Sequence, residues 1–463
     1  MAIIRDRELI EDLDNVPVPL VQSCVKEHRA GVPRLNQLES YYLGKHPILN
    51  RRSSVSSALP NNRIVANHAK YITDIAVGYV MGNPVKYEGA SIDELLKVFD
   101  RIDIVSHDAE LAKDLSIFGE AREIYFMTGD DNPIPKVSVI DPRQTFLVVD
   151  DSVEYRPLFG VHYYPKRNAA NEAIGYTIDV YGPRSKKRYF VRGEDPAGTD
   201  YAERELPGME AVHHFGGIPI VEYWNNEERQ GDFEQQISLI DAYNVLQSDR
   251  VNDKEQLVDA LLKVTGMSFG DDTEEAVRTI RILKELKVLE MPHADADADW
   301  LVKQLNETEV EVLRKALRDD IHQFAMVPNL TDKEFASQAS GVAMKYKLLG
   351  LEQLAKNKER YFVQGLRERL QLFANILTVK GKAVDVSSVD ITMTRNLPAN
   401  DLDTAQTISL LDGLVSRETL LSRLSFVDDP AAEAKAVETQ KAADIKLNQM
   451  AFGLPMSDDA EEE

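Results

Sequence analysis

The sequence predicts an α+β chain, a mostly helical polypeptide interrupted by one antiparallel β region. Three observations carry this. Between Arg122 and about Glu222 the apolar period is two, and it reverts to helical spacing on either side. Turn chemistry such as Gly-Asp-Asp-Asn-Pro, Asp-Pro-Arg, Gly-Pro-Arg and Gly-Gly-Ile-Pro bounds each short run in that region. Behind a polar loop near residue 330, a long helical pattern turns basic in a chain of net charge −23.

The first 60 residues read as helical pieces and loops, with SSVSSALPNN as a flexible link. NRIVANHAKYITDIAVGYVMG is predicted helical, with Ile64, Ile72, Ile75 and Tyr79 on one side and Gly82 as its stop. SIDELLKVFDRID follows, with Ser91 as N-cap and Glu94 completing a capping box. HDAELAKDLSIFGEA makes another helix. The strand runs are EIYFMTG, KVSVIDP, TFLVVDD, LFGVHYY, YTIDVYG, KRYFVRG and PIVEYW.

After Asn225 the chain returns to helix. Asp232 is expected to cap one long helix ending near Gly266, at most about 32 residues and about 48 Å long. Met267 to Gln304 reads as a small mixed segment with the helix TEEAVRTIRILKEL and the apolar run KVLEM. Asn306 and Glu309 form a capping box for the next helix, striped by Val310, Leu313, Leu317, Ile321 and Phe324 and ended by Pro328. The loop Asn329 to about Ser340 precedes the basic helix, whose stripe is Phe362, Leu366, Leu370, Phe373 and Ile376. A strand-like VDITMTRNLPAN and a helical C-terminal set complete the chain, and the tail SDDAEEE is expected to be disordered.

Composition bounds function. Hydrophobic content of 43% and charged content of 28% suit a packed chain. The acidity argues against a conventional nucleic-acid binder. Yet Ser340 to Lys382 holds nine Lys/Arg against three Glu, a local net of +6 that asks what anion it faces. Cys24 stands alone, which excludes an internal disulfide and suits assembly in a reducing compartment. The start MAIIRDRELIEDL has no apolar stretch of signal-peptide length, and no run is long enough to span a membrane.

Motifs for chemistry are missing. There is no phosphate-cradling G-x-x-x-x-G-K-[ST], no H-E-x-x-H, no G-x-S-x-G and no cysteine cluster. Asp295, Asp297 and Asp299 have the 1, 3, 5 spacing of a calcium loop, but Trp300 replaces its glycine and Asn306 its glutamate, so a solvated acidic turn is expected. His213 and His214 read as turn residues. Arg184, Lys186, Lys187 and Arg188 read as a solvated hairpin tip. No cofactor and no catalysis are expected.

An ordered set of blocks resembles the portal proteins of tailed bacteriophages, of the type in long-tailed phages of Gram-positive hosts. These are Asn61-Asn62-Arg63-Ile64-Val65-Ala66-Asn67, Ala76-Val77-Gly78-Tyr79-Val80-Met81-Gly82-Asn83-Pro84-Val85 and Gly217-Ile218-Pro219-Ile220-Val221-Glu222-Tyr223-Trp224-Asn225-Asn226. They continue with Leu239 to Asn244, Ser248-Asp249, Asn252-Asp253, Ser340-Gly341-Val342-Ala343-Met344-Lys345-Tyr346-Lys347, Leu354-Ala355, Lys358-Glu359-Arg360 and Arg395-Asn396-Leu397-Pro398-Ala399-Asn400. The resemblance covers residues 35 to 430.

The resemblance implies an elongated subunit. Residues 1–231 would be the wing, with N-terminal helices over 1–121 and the β-rich region over 122–231. Stem helices would occupy 232–266 and 306–328, with a clip over 267–305 between them. A tunnel loop over 329–340, a long helix and wing strand over 341–399 and a crown over 400–453 would follow, with a disordered acidic tail over 454–463. It implies a ring, usually of twelve subunits, at one capsid vertex of the virion, assembled in the host cytoplasm. Double-stranded DNA would pass its channel during packaging and ejection. Terminase, scaffold, major capsid protein and a head–tail adaptor would be its partners, and no membrane. Lys333, Gln338, Lys345 and Lys347 are the residues expected near DNA. Arg278, Arg281, Lys284 and Lys287 are those expected at the clip contact. The alternatives are an oligomeric scaffold that passes no DNA, and a metal-dependent hydrolase using the Asp295–Asp299 cluster.

Overall fold

The computed structural model describes residues 3–52, 60–129, 133–206, 211–258, 261–265, 272–286, 297–301, 307–330, 346–396, 401–422, 424, 427 and 430–451. The chain divides into two compact units. One comprises Met1–Asn329 and Gly350–Arg395, the other Leu330–Leu349 and Asn396–Glu463.

The seven strands expected in the β region form, as β3 (Glu120–Met127), β4 (Pro135–Ile140), β5 (Thr145–Val149), β6 (Pro157–Arg167), β7 (Ala173–Tyr181), β8 (Lys186–Arg192) and β10 (Ile220–Trp224). Short β1 (Ile3–Ile4) and β9 (Ala202–Arg204) extend the larger sheet. Its order is β1-β5-β6-β7-β8-β9, antiparallel except for the parallel β1–β5 pair. A second antiparallel sheet runs β10-β3-β4.

Helix α1 (Val18–Tyr42) covers one face of the larger sheet. It is one 25-residue helix, continuous through Pro33, where only helical pieces were expected. Its Val21, Cys24 and Val25 pack on Phe146, Val148, Phe159, Val161, Ile178 and Val191. Each such buried side chain contributes about 1.5–3 kcal/mol. On the opposite face, the β5 end is covered by Ile218 and Ile220, which pack on Leu147 and Tyr181.

Helix α2 (His68–Met81) is capped by Asn67, whose side chain accepts from the Lys70 amide, and it ends at Gly82 as expected. For α3 (Asp93–Arg101) the expected cap is wrong: Ile92 occupies the position and no side chain caps it. Ser91 has φ 64, a left-handed turn geometry rather than the extended one an N-cap needs. Glu94 instead holds Lys97 and Lys382. Helix α4 (Ile104–Phe118) ends at Gly119, φ 80.

The helix expected from Asp232 to Gly266 is shorter. Helix α5 spans Ile237–Val258, after a 3-10 turn at Glu234–Gln236. Leu261–Thr265 is a strand, β11, paired with β12 (Asp297–Leu301). A short apolar run reads equally as helix or strand, and pairing decided it. The acidic turn expected around Asp297 is therefore a strand. Helix α6 (Thr273–Leu286) lies between, while KVLEM lies outside the described residues. Helix α7 (Glu307–Phe324) runs antiparallel to α5: Arg250 meets Glu311 at 2.9 Å, Lys254 meets Glu307 at 2.9 Å, and Arg314 reaches the Tyr243 hydroxyl at 3.1 Å. Asn306 lies outside the described residues.

Residues 62–66, expected to open the α2 helix, instead run extended along α5. Asn252 Oδ1 accepts from the Asn62 amide, Ser248 Oγ from Ile64 and Asn244 Oδ1 from Ala66, at 2.7, 2.9 and 2.8 Å. Alternate amides of an extended chain thus meet every fourth residue of a helix. Two of the blocks that carried the resemblance are one contact.

Helix α8 (Leu349–Val379) buries its whole expected stripe, Phe362, Leu366, Leu370, Phe373 and Ile376. Beyond it, β13 (Asp390–Thr392) pairs with β2 (Lys86–Glu88). The C-terminal helices form as expected: α9 (Asp401–Leu411), α10 (Arg417–Leu421) and α11 (Pro430–Ala451).

Several histidines are folded into apolar surroundings. His28 stacks on Phe146 at 4.7 Å and hydrogen-bonds the Pro142 carbonyl at 3.0 Å. Burial, helped by Arg122, lowers its pKa to about 3, and burial lowers His68 and His162 to about 4. The unfolded chain binds these protons near pH 6.5 and the folded chain does not. Stability is therefore expected to fall as pH drops from 6.5 to 4, by up to about 1.4 kcal/mol per pH unit for each histidine. His28→Gln should flatten that slope by one such increment in unfolding titrations at fixed protein concentration.

Candidate functional site

The basic helix α8 does not spend its charge on an outside partner alone. Arg369 is fully buried on it. Its Nη1 donates to Asp108 of α4 at 2.5 Å, and its Nε and Nη2 donate to the two oxygens of Glu123 on β3 at 3.1 and 2.7 Å. Glu123 also bonds His107 Nε2 at 2.8 Å and accepts from the hydroxyls of Tyr223, at 2.6 Å, and Tyr125. Burial would push this carboxyl up, but Arg369 and His107 outweigh it and hold the pKa near 2. A built Cβ on Gly365 would come 2.4 Å from the Tyr223 ring, so only glycine lets α8 approach β10 this closely.

About three turns earlier on α8, buried Lys358 pairs with Asp232, which also accepts from Ser116 Oγ at 2.5 Å and Asn225 Nδ2 at 2.9 Å. This is why Asp232 caps no helix. On the other side of β3, Arg122 meets Glu222 at 2.7 Å and Glu120 at 3.2 Å. Arg229 completes that group, 3.2 Å from Glu222 and stacked 4.2 Å over Trp224. Arg395 ties Glu352 and Glu359 of α8 together at 3.1 and 2.6 Å.

Of the nine cations counted in the sequence, Lys358 and Arg369 are thus internal, Lys382 pairs with Glu94, Lys380 bonds the Pro133 carbonyl, and Lys356 lies 3.8 Å from Glu352. Arg367 is exposed. Sequence reading missed the internal pair, though the signal was present. Lys358 lies four residues before Phe362, and Arg369 three after Leu366, so both continue the buried stripe.

Lys333, Gln338 and Lys345 lie outside the described residues, and Lys347 stands just ahead of α8. The chain leaves and returns at one place around them. His322 bonds the Val327 carbonyl at 3.0 Å, the Tyr71 hydroxyl donates to Pro328 at 3.4 Å, and Gly350 passes so near Met326 that an added Cβ would lie 3.5 Å from it. Arg278 and Arg281 are exposed on α6, which also carries Lys284; Lys287 lies outside the described residues.

Asp297 and Asp299 stand on β12 opposite Thr265 and Lys263, and Asp295 lies outside the described residues. Among the described residues no three His, Cys, Asp or Glu converge as metal ligands would. His213 Nε2 bonds the Gly182 carbonyl at 3.0 Å, and His214 is exposed. Of the hairpin cations, Arg184 is solvated as expected, though it meets Asp14 at 3.1 Å, whereas Arg188 and Lys186 lie against buried Asp179 at 2.6 and 4.0 Å and half-buried Lys187 is 3.8 Å from Glu203.

Removing Arg369 would leave Asp108 and Glu123 buried without their shared guanidinium. Arg369→Met is expected to cost about 3–5 kcal/mol in denaturant unfolding; a loss below about 1 kcal/mol would contradict the arrangement.

The chain is 23% identical to the portal protein of Bacillus phage SPP1 over 93% of its length and 88% of that protein's. It is 22% identical to the portal protein of Clostridium phage phiCD119 over 92% of its length and 97% of that protein's. It also resembles a chain in the solved neck of an empty GTA particle, computed with C6 symmetry, at 12% identity and TM-score 0.42, covering 77% of this chain and 88% of that one. The sequence profile of one family, described as phage portal protein, SPP1 Gp6-like, matches residues 21–447, and the chain belongs to that family.

Proposed function

We propose that copies of this chain close into a ring at one capsid vertex and that double-stranded DNA passes through its channel during packaging and ejection. Membership of the portal family carries this reading and makes the chain a structural component of the phage particle. Twelve copies are the expected number. The ring assembles in the host cytoplasm, docks terminase during packaging and a head–tail adaptor afterwards, and meets scaffold and major capsid protein around its rim.

Three features support the assignment of parts. The antiparallel α5–α7 pair suits a stem. Val312, Leu313 and Phe324 of α7 are 65%, 51% and 61% exposed in the single chain, which suits cover by a second copy. Met326 and Gly350, on either side of the expected tunnel loop, lie side by side. Lys333, Gln338, Lys345 and Lys347 are then the side chains nearest DNA. Arg278, Arg281, Lys284 and Lys287 face the motor or adaptor.

Sparse lysines in an otherwise acidic channel would give weak, exchangeable contacts, because every phosphate neutralised releases counterions and tightens binding. Electron microscopy of the purified chain should show a closed ring with an axial opening of roughly 20 Å or more, wide enough for a duplex; a ring without that opening would favour a scaffold that passes no DNA. Lys333→Ala, Lys345→Ala and Lys347→Ala together should leave the ring intact but alter packaging yield or DNA retention. No change in either would remove these residues from the DNA path.

A further inference from the structure

The outer face of the larger sheet carries a row of cations, three of which no described acid answers. Strand alternation places Lys166 of β6, Lys186, Arg188, Phe190 and Arg192 of β8, and Arg204 of β9 on the side away from α1. Ile218 and Ile220 cover this face at its β5 end, but the β8–β9 end is open among the described residues. Asp179 answers Arg188 and Lys186. Lys166, Arg192 and Arg204 are exposed and form no ion pair with a described acid. Lys166 Nζ and the Arg204 guanidinium lie instead 5.5 and 5.3 Å from the Phe190 ring centre.

We propose that this face binds double-stranded DNA through its phosphate backbone, outside any channel. Three considerations select that partner. Protein interfaces need an apolar core, and none of these side chains is an exposed large hydrophobic. Phe190 is half-buried and already carries two cations, so it offers no free ring for the stacked bases of a single strand. The cations are spread widely enough for a backbone. Lys166 and Arg192 share a register row two strands apart, about 10 Å, while Arg204 lies four residues from that row, about 13 Å along the strand direction. One duplex strand presents a phosphate every ~3.4 Å of rise, so several lie within reach.

The chain's −23 limits the attraction to close range, within about one Debye length, ~10 Å at 0.1 M salt. Binding is therefore weak, independent of sequence and steeply salt-dependent. That suits DNA that must be released again.

The choice of DNA as the polyanion rests on the portal reading; the test separates the two. A covalently closed duplex minicircle cannot thread a ring, so its binding reports only an outer surface. The full-length chain, in the oligomer it forms, is titrated with labelled minicircle at several salt concentrations beside Lys166→Ala/Arg192→Ala/Arg204→Ala. The variant is expected to bind about tenfold or more weakly at low salt. Its log–log salt slope should be smaller by about 2–3, near 0.9 for each phosphate no longer neutralised. Arg192→Lys/Arg204→Lys should keep most of the binding, which excludes a folding defect. The proposal is overturned if the wild-type chain ignores the minicircle or if the triple variant keeps its slope. It is equally overturned if polyglutamate competes as well as duplex, or if the triple variant changes ring size, which would make the face a subunit interface. Any of these leaves an open-channelled ring, and so the portal reading, standing.

Discussion

Arg369 fixes how the main elements of the larger unit meet. One guanidinium, with no exposure to water, joins α8 to α4 through Asp108 and to β3 through Glu123. Tyr223 brings β10 to the same carboxylate. A buried guanidinium is tolerated only when its donors and its charge are both answered, and here two carboxylates, a histidine and two hydroxyls surround the same point. Phe373 against Tyr125 and Phe362 against Tyr223 close the surroundings, at 5.5 and 5.2 Å between ring centres.

Such a network contributes more to uniqueness than to net stability, because desolvation offsets much of the attraction. Its arrangement on β3 shows how. Glu120 and Arg122 point to one side of the strand, and Glu123 points to the other, toward α8. A one-residue slip of β3 against β10 would exchange the two sides, taking Glu123 from Arg369 and Arg122 from Glu222 together. Two independent charge groups therefore penalise the same error. For a portal-family subunit, one defined register matters more than a few kcal/mol.

Much of this was legible in the sequence. Seven strand runs, the α8 stripe, the turn to helix after residue 225 and the three C-terminal helices followed from period and turn residues alone. What failed were boundaries set by partners distant in sequence. Leu261–Thr265 looked like a last helical turn because its strand partner, Asp297–Leu301, looked like a solvated acidic loop. Asp232 looked like a cap because nothing local reveals Lys358, 126 residues later. The +6 of the basic helix looked wholly external for the same reason. Only the position of Lys358 and Arg369 within an apolar stripe hinted that part of it points inward.

That inward charge alters how the exterior should be read. The internal groups pair cations with carboxylates in nearly equal number, so burying them leaves the chain's negative charge on the surface. Against such an exterior, a cluster of exposed cations is a larger departure than it was against the bare sequence. By that measure part of α8 recedes, because Lys358 and Arg369 already have partners inside. The open half of the six-stranded sheet advances, because Lys166 and Arg204 lie over an aromatic ring rather than against an acid, with Arg192 exposed beside them. A cation over a ring keeps its outward hydrogen-bond donors, whereas a cation in a salt bridge has committed them. Where the donors remain uncommitted is where this acidic subunit can still hold an anion.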